Sequence, residues 1–397
     1  MKRILTLLAV VLLGISLVGM IGLGKGKVAV VLDVGGRGDQ SFNDMAFEGA
    51  RRAAEEFGLE IIDVASSSET DYLPNIRNTA RLGEYDLIIA TGFLLTGALN
   101  EVAPDFPDQP FAIVDVAAGP PPWNVQGPNV VNLIFNENEM SALVGALGAM
   151  TAAYYDYPKW GAVLGIPGSV LYHFEAGFRF GMDWANKKWE EVYGTDPGIG
   201  LLYDYVNSFN DEELGETATT AMLSQGAVGV YNVAGPVGFG DHRAIVNWHE
   251  QEGTTLGPPY FFGVDANQDY FSHTLASGMK RVDIAVYTAI KAVVEGTFFD
   301  MVAAGGYHGT LANGGVALSK ATDLLDFIEF GLRAGAEIDF YQTIANWATE
   351  RASLPDEVWN AISELEAGIL DGSIVVPTAN TEADIAAIRA QYTLGAP

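Results

Sequence analysis

The sequence contains no cysteine among its 397 residues, and this absence removes several kinds of chemistry. Disulfide bonds, thiolate zinc sites and a cysteine nucleophile are all excluded. Basic residues are also scarce, with 21 Lys and Arg against 50 Asp and Glu and a formal net charge of -29. Because such a surface repels phosphate backbones, we expect no nucleic-acid partner.

Familiar catalytic and metal-binding motifs are missing as well. None of the five histidines forms an H-x-x-x-H or similar ligand pair; they are His173, His242, His249, His273 and His308. The sequence has no G-x-S-x-G elbow and no G-x-x-x-x-G-K-[ST] loop that would cradle a phosphate. We therefore expect no metal, no cofactor and no enzymatic activity.

A basic start and a long apolar run mark the N-terminus. Met1-Lys2-Arg3 precedes an uncharged, mostly apolar run over residues 4–23. At ~1.5 Å per residue, about 20 helical residues can cross a bilayer. Residues 1–24 are therefore predicted to be either a cleaved signal peptide or a retained membrane anchor. Under either interpretation, the rest of the chain is expected to be exported to the periplasm or to the extracellular face of the cell membrane.

From residue 27 onward, short apolar runs alternate with helical stretches. The run at 28–32 predicts a buried parallel strand, and a helix is expected at 41–57, with Ser41 as its cap and Asp44 in capping-box position. A second series of strands and helices extends from about 161 to 264. The pattern predicts an α/β fold with two doubly wound parallel-sheet lobes and a ligand cleft between them.

The two series also set the expected domain boundaries. The first lobe is assigned to residues 27–135 plus about 265–310, and the second lobe to 136–264 plus about 311–397. The chain should thus cross between the lobes near 135 and again near 265. In open α/β sheets, ligands bind beyond the carboxyl ends of strands, so residues that directly follow strands are the candidates for a site.

Aromatic residues follow one predicted strand in each lobe. Phe42 belongs to a Ser-Phe-Asn-Asp sequence after the first strand, and Phe209 belongs to the same sequence after a strand of the second lobe. Two aromatics at facing strand ends can sandwich a flat ring, and stacking of a base is worth ~1–3 kcal/mol. Each ring alone could simply pack a loop, but the repetition favours ligand stacking.

Polar residues stand at further strand ends. Asp33, Asp115 and Asp265 each follow or end a predicted strand, and Lys280 lies in Ser277-Gly278-Met279-Lys280-Arg281. A carboxylate accepts hydrogen bonds from ring N–H groups or paired hydroxyls, and a neighbouring lysine balances its buried charge. Each aspartate alone could be a cap or turn residue, but together they indicate a polar ligand site.

These segments resemble the basic membrane protein family (BMP/PnrA-like) of ABC-transporter substrate-binding lipoproteins. The most specific matches are Gly-Arg-Gly-Asp-Gln-Ser-Phe-Asn-Asp at 36–44 and the Val-Asp-x-x-Gln stretch within 262–269. The resemblance implies a type I periplasmic-binding-protein fold and a receptor that delivers a purine nucleoside, such as inosine, guanosine or adenosine, to a permease. A sugar receptor of the same fold is the alternative, and a nucleoside hydrolase is a less favoured one.

The resemblance also implies which residues contact the ligand. Two phenylalanines would stack the base, two aspartates would bond its edge, and a glycine, an aspartate and a lysine would hold the ribose, with an asparagine as a weaker candidate. In that order they are Phe42, Phe209, Asp33, Asp115, Gly235, Asp265, Lys280 and Asn43. The expected partners are the nucleoside, ABC permease subunits and the membrane around the N-terminal segment, for a monomeric receptor.

Two features depart from the family pattern. The lipoprotein cysteine is missing, so attachment to the membrane by the apolar N-terminal segment is favoured over attachment by a lipid. Residues 319–354 form a longer stretch than the family usually carries at this place. Of two interpretations, a surface extension exposed to solvent is favoured over a contact for a partner.

Overall fold

The computed structural model describes residues 26–395, so the predicted signal or anchor at 1–24 lies outside the described residues. The first part of the chain forms β1 (Lys27–Val31), α1 (Phe42–Phe57), β2 (Glu60–Val64), α2 (Tyr72–Leu82), β3 (Leu87–Ala90), α3 (Thr96–Val102), β4 (Phe111–Val114) and β5 (Val130–Phe135). No helix within 26–395 combines the length and the hydropathy that a bilayer span requires.

The middle of the chain repeats the alternation of strands and helices. It forms α4 (Glu137–Tyr154), β6 (Lys159–Leu164), α5 (Ser169–Tyr193), β7 (Gly200–Tyr205), α6 (Glu212–Ser224), β8 (Ala227–Val233), α7 (Val237–Glu252), β9 (Tyr260–Asp265) and β10 (Thr274–Lys280). The remainder forms α8 (Val282–Val294), α9 (Phe298–Ala303), β11 (Tyr307–Gly309), β12 (Val316–Leu318), α10 (Ala321–Arg333), α11 (Phe340–Ala352), α12 (Asp356–Asp371) and α13 (Glu382–Gln391).

These strands build two six-stranded sheets, one in each lobe. The first has the order β11-β5-β4-β3-β1-β2, and the second has the order β12-β10-β9-β8-β6-β7. Neighbouring strands run parallel except β10 and β12, which are antiparallel. Helices cover both faces, and β4, β8 and β9 are buried along their whole length. This two-sided burial explains why the strands appear in the sequence as continuous apolar runs.

The second crossing between the lobes lies later than the sequence predicted. Because β10 pairs with β9 and β12, the boundary expected near 265 is wrong, and the chain stays in the second lobe as far as Lys280. The strand was missed because its sequence, Thr-Leu-Ala-Ser-Gly-Met-Lys, has no continuous apolar run, although all seven residues are buried. After Arg281, α8 packs on α1 of the first lobe.

The residues at 319–354 are only in part the solvent-exposed extension that the sequence favoured, because α10 is packed into the core while α11 buries only Glu350. They form α10 and α11, and α10 buries Leu324, Phe327 and Phe330. Arg333 at the end of α10 pairs with Glu48 of α1, at 3.1 Å between Nη2 and Oε1. This segment therefore contributes an apolar face to the core and reaches the first lobe.

The first helix is capped by Asp39, so the capping role predicted for Ser41 is wrong. The Asp39 carboxylate accepts hydrogen bonds from the backbone N–H groups of Asn43 and Asp44, at 2.7 and 3.0 Å. The Ser41 hydroxyl instead donates to the carbonyl oxygen of Val264 in the other lobe, at 3.0 Å. The Ser41 hydroxyl therefore makes a hydrogen bond between the lobes and does not cap the helix.

A buried carboxyl lies between α6 and α7 of the second lobe. Asp241 is completely buried, and its Oδ1 accepts a hydrogen bond from the Thr219 hydroxyl at 2.7 Å. Its Oδ2 has no hydrogen-bond partner in the described part of the chain. Burial raises the pKa of Asp241 to about 8. Since its unfolded pKa is about 4, ionisation of this group opposes folding increasingly as the pH rises from about 4 to about 8.

Asp241→Asn is therefore expected to raise the melting temperature at about pH 8, because the amide stays neutral and still accepts from Thr219. The gain should shrink as the pH falls towards about 4 and vanish below it, where the wild-type carboxyl is protonated in both states. Thermal unfolding followed by circular dichroism across this range measures the difference. Glu252→Gln, at an exposed acid on the same helix, is the control. A gain that does not change with pH would contradict this interpretation.

Candidate functional site

The carboxyl ends of the two sheets face each other across a cavity lined by residues of both lobes. All eight residues singled out in the sequence line this one cavity: Asp33, Phe42, Asn43, Asp115, Phe209, Gly235, Asp265 and Lys280. Their contact with a ligand stays a prediction, but the arrangement brings all of them together.

An ion pair joins the two lobes inside the cavity. Lys280 of β10 donates from Nζ to Oδ2 of Asp115, which follows β4 of the first lobe, at 2.7 Å. The same Nζ lies 3.4 Å from Oδ1 of Asp265, at an ion-pair distance without a hydrogen bond. Burial lowers the pKa of Lys280, but the carboxylates of Asp115, Asp265 and Glu137 outweigh that effect and raise it above its usual value. The lysine is therefore held as a cation.

The two aspartates of this cluster occupy matching and strained positions. Asp115 and Asp265 stand at the carboxyl ends of the third strand in each sheet order, with φ of 64° and 61°. This left-handed conformation costs a residue other than glycine ~1–3 kcal/mol, and it clusters at functional sites. Oδ1 of each is buried and has no hydrogen-bond partner within residues 26–395. Two free acceptor oxygens thus lie beside one ammonium group.

Burial raises the pKa of both carboxyl groups in this cluster. For Asp115, Lys280 opposes the effect of burial, while Glu137 adds to it. For Asp265, Lys280 likewise opposes burial. One ammonium group therefore has to balance the charge of several buried carboxylates. A ligand that donates hydrogen bonds to their oxygens would lower the remaining free-energy cost of burying them.

Phenylalanines from opposite lobes form the apolar walls of the cavity. The Phe42 ring lies under the Lys280 ammonium, with Nζ 4.7 Å from the ring centroid. Phe209 meets the edge of Phe93, with 5.9 Å between centroids and 75° between planes. Gly165 lies directly against the Phe209 ring and leaves no room for a Cβ. Both rings are consequently fixed in place by their neighbours.

Asn43 lines the cavity, but its amide is already engaged. Its Nδ2 donates to Oδ1 of Asp33 at 2.7 Å and to Oδ2 of Asp39 at 3.1 Å. Its Oδ1 accepts from the backbone N–H of Asp33 at 3.3 Å. Asn43 therefore positions the Asp33 carboxylate, whose pKa is raised by burial.

A match to a protein family decides the class of this chain. Residues 26–327 match the family described as ABC transporter substrate-binding protein PnrA-like. The chain belongs to this family. The resemblance noted in the sequence is thereby confirmed.

Relatives of the PnrA-like chain include archaeal and bacterial proteins. An uncharacterized lipoprotein of Pyrococcus abyssi is 37% identical over 363 residues, covering 90% of this chain and 85% of the relative. A protein of Lactococcus lactis named ABC transporter nucleoside-binding protein BmpA is 26% identical over 360 residues and covers 89% of each chain. Both alignments extend over nearly the whole chain.

A solved structure confirms the predicted fold. An ABC-transporter solute-binding protein from Aeropyrum pernix K1 superposes with a TM-score of 0.82 at 32% identity. The superposition covers 93% of this chain and 97% of that protein. The PnrA-like chain thus has the type I periplasmic-binding fold, with two lobes that each contain a mostly parallel sheet.

The sequence did not reveal two further aromatic residues that line this PnrA-like cleft. Phe93 lies shortly after the end of β3 at Ala90, so the strand-end rule could have found it. Phe174 lies inside α5, where nothing in the sequence distinguishes it from a core residue; its centroid is 5.5 Å from Nζ of Lys280. Together with Phe42 and Phe209, they bring four phenylalanine rings to the cavity.

The histidines lie away from the PnrA-like cleft, since none of them lines the cavity. His249 and His273 stack on each other in the second lobe, with 3.6 Å between ring centroids. Within residues 26–395, no three His, Asp or Glu side chains are grouped so as to hold a metal ion. The polar groups offered to a ligand are therefore carboxylates, one ammonium group and backbone atoms.

Proposed function

We propose that this protein is the receptor of an ABC importer and binds a purine nucleoside in the cleft between its lobes. The observation that carries the proposal is the pair of buried acceptors, Oδ1 of Asp115 and Oδ1 of Asp265, beside Lys280 and between aromatic walls. A nucleoside supplies hydroxyl and N–H donors for the carboxylates and a flat ring for the phenylalanines. It would be passed on to permease subunits without being altered.

The geometry supports a different role for one residue. The sequence resemblance placed Asp115 at the edge of the base, with Asp265 and Lys280 at the ribose. Because Asp115 shares the Lys280 ammonium with Asp265, we now assign it to the ribose end of the site. In this proposal Asp33 forms hydrogen bonds with the edge of the base, and Phe42 and Phe209 stack on its faces.

Relatives support a nucleoside as the ligand and an exported location. The Lactococcus lactis relative carries the name nucleoside-binding protein, and the Pyrococcus abyssi relative is named a lipoprotein. Because this chain has no cysteine for a lipid, we propose that its apolar segment at residues 4–23 directs export and holds it at the membrane.

Titration calorimetry with a panel of inosine, guanosine, adenosine, ribose and hexoses tests the proposal. We expect at least one purine nucleoside to bind reversibly, without added metal, and to be recovered intact by chromatography. Binding of a hexose or pentose with no response to any nucleoside would make the protein a sugar receptor. Accumulation of free base and ribose at nanomolar protein would instead make it a hydrolase.

A further inference from the structure

A buried carboxylate behind the cleft is held by helix α11. Trp347 donates from Nε1 to Oδ2 of Asp269 at 3.0 Å, and Arg351 donates from Nη2 to the same oxygen at 3.2 Å. The Asp269 side chain is 0% exposed. Helix α11 begins at Phe340, after the end of the family match at residue 327. Two donors from outside the matched region thus converge on one buried acceptor.

Asp269 in turn fixes the segment 265–270, here called the closure loop. Its Oδ1 accepts a hydrogen bond from the Ser277 hydroxyl at 2.7 Å, and the Ser277 oxygen accepts from the backbone N–H of Gln268 at 3.0 Å. Oε1 of Gln268 accepts from the backbone N–H of Val264 at 3.1 Å. This chain of bonds connects α11 to the end of β9, where Asp265 lines the cavity.

The closure loop also contacts the first lobe beside the cavity. Gln268 donates from Nε2 to the carbonyl oxygen of Gln40 at 3.1 Å, and the Tyr270 hydroxyl donates to Oε1 of Gln40 at 3.1 Å. The Ser41 hydroxyl lies 3.3 Å from Oδ2 of Asp265. These contacts join the lobes. Because the groups that the second lobe contributes to them lie on the closure loop, the contacts depend on that loop keeping its conformation.

We propose that Trp347 and Arg351 are positioning residues that hold the closure loop for contact with the first lobe. Helix α11 thereby sets the lifetime of the closed, ligand-bound receptor, although it lies outside the cavity. In the open receptor the ligand meets each lobe separately, so its association does not require the bonds between the lobes. Dissociation requires those bonds to break, and a loosened loop makes this easier. The inference rests on the proposed function for its ligand.

Trp347→Phe tests the proposal, because it removes the Nε1 donor and keeps an aromatic ring. Stopped-flow kinetics with inosine should show dissociation about tenfold faster, from the loss of one charge-assisted bond, and association within about twofold of wild type. The matched control is Trp359→Phe, which loses the Nε1 bond to the carbonyl oxygen of Arg351 at 3.1 Å and leaves Asp269 untouched. The control should dissociate at the wild-type rate.

Hydrogen exchange supplies a second measurement that needs no ligand. Backbone amides of residues 266–270 should exchange faster in Trp347→Phe than in Trp359→Phe, at matched melting temperatures. Arg351→Met should show the same change in exchange and in dissociation. Unchanged inosine dissociation in both α11 variants would overturn the proposal, and so would unchanged exchange in the loop.

The two measurements separate this proposal from the one on function. If wild-type protein does not bind inosine or any other nucleoside, the proposed function fails and exchange alone decides the role of α11. Faster exchange confined to residues 266–270 would then still support a positioning role for Trp347, and unchanged exchange would refute it.

Discussion

Replacing Lys280 by methionine is expected to lower the free energy of unfolding by ~3–5 kcal/mol, because it leaves buried carboxylates without their cation. Methionine keeps an unbranched apolar stem, so the loss is mainly one of charge. Asp115 and Asp265 would then face each other with only 5% and 8% of their side chains exposed. Chemical denaturation of the variant and the wild type measures this difference.

The dependence of this loss on pH follows from the sign of the pKa shifts. Burial already raises the pKa of Asp115 and of Asp265, and loss of the ammonium raises both further. Carboxyl groups whose folded pKa is raised cost stability as the pH rises, so the penalty should be larger at about pH 8 than at about pH 5. A loss of stability that does not grow with pH would show that methionine destabilises the protein through poor packing and not through unpaired charge.

Two companion variants isolate the buried cluster. Lys280→Met combined with Asp115→Asn should recover part of the lost stability, because one uncompensated charge is removed. Lys291→Met makes the same change at a half-exposed lysine of α8, 3.8 Å from Glu295, which follows that helix. Surface pairs of this kind contribute ~0.2–1 kcal/mol, so this control should remain close to wild type. No recovery in the double variant would contradict the proposed charge balance.

The sequence could predict the cavity because one rule of α/β architecture places the ends of parallel strands at a common edge. Asp33, Asp115 and Gly235 follow strands that are short buried runs, so finding the strands located the residues. Lys280 was singled out within Ser277-Gly278-Met279-Lys280-Arg281, but the strand that carries it was missed. Near the middle of β10, Gly278 lies close to the Tyr231 hydroxyl. A local sequence pattern cannot show a neighbour that comes from another strand.

Other features could not be predicted, because their partners lie far away in the sequence. Ser41 looks like a helix cap, yet its hydroxyl donates to Val264, which is 223 residues further on. Asp39 precedes the expected cap position, so a rule that looks only at that position does not find it. Trp347 similarly gives no local sign that it reaches Asp269, 78 residues earlier. Local rules identify which side chains can cap or stack, and the tertiary fold decides which of them do so.

Phe42→Ala and Phe209→Ala are each expected to weaken inosine binding by ~1–3 kcal/mol, if both rings stack the base. Phe42→Ala should have the larger effect, because that ring also lies under the Lys280 ammonium, 4.7 Å from its centroid. Phe209 is braced by the edge of Phe93, which remains in the variant to fill part of the space. Calorimetry with inosine measures both losses.

Phe299→Ala provides the control for a general effect of removing a phenylalanine, because that side chain is 59% exposed and does not line the cavity. Phe42→Leu and Phe209→Leu separate stacking from simple burial, since leucine keeps apolar volume without a π face. If stacking carries the affinity, the leucine variants should bind nearly as weakly as the alanine variants. If leucine restores wild-type affinity at one position, that ring is an apolar wall and the base lies against the other.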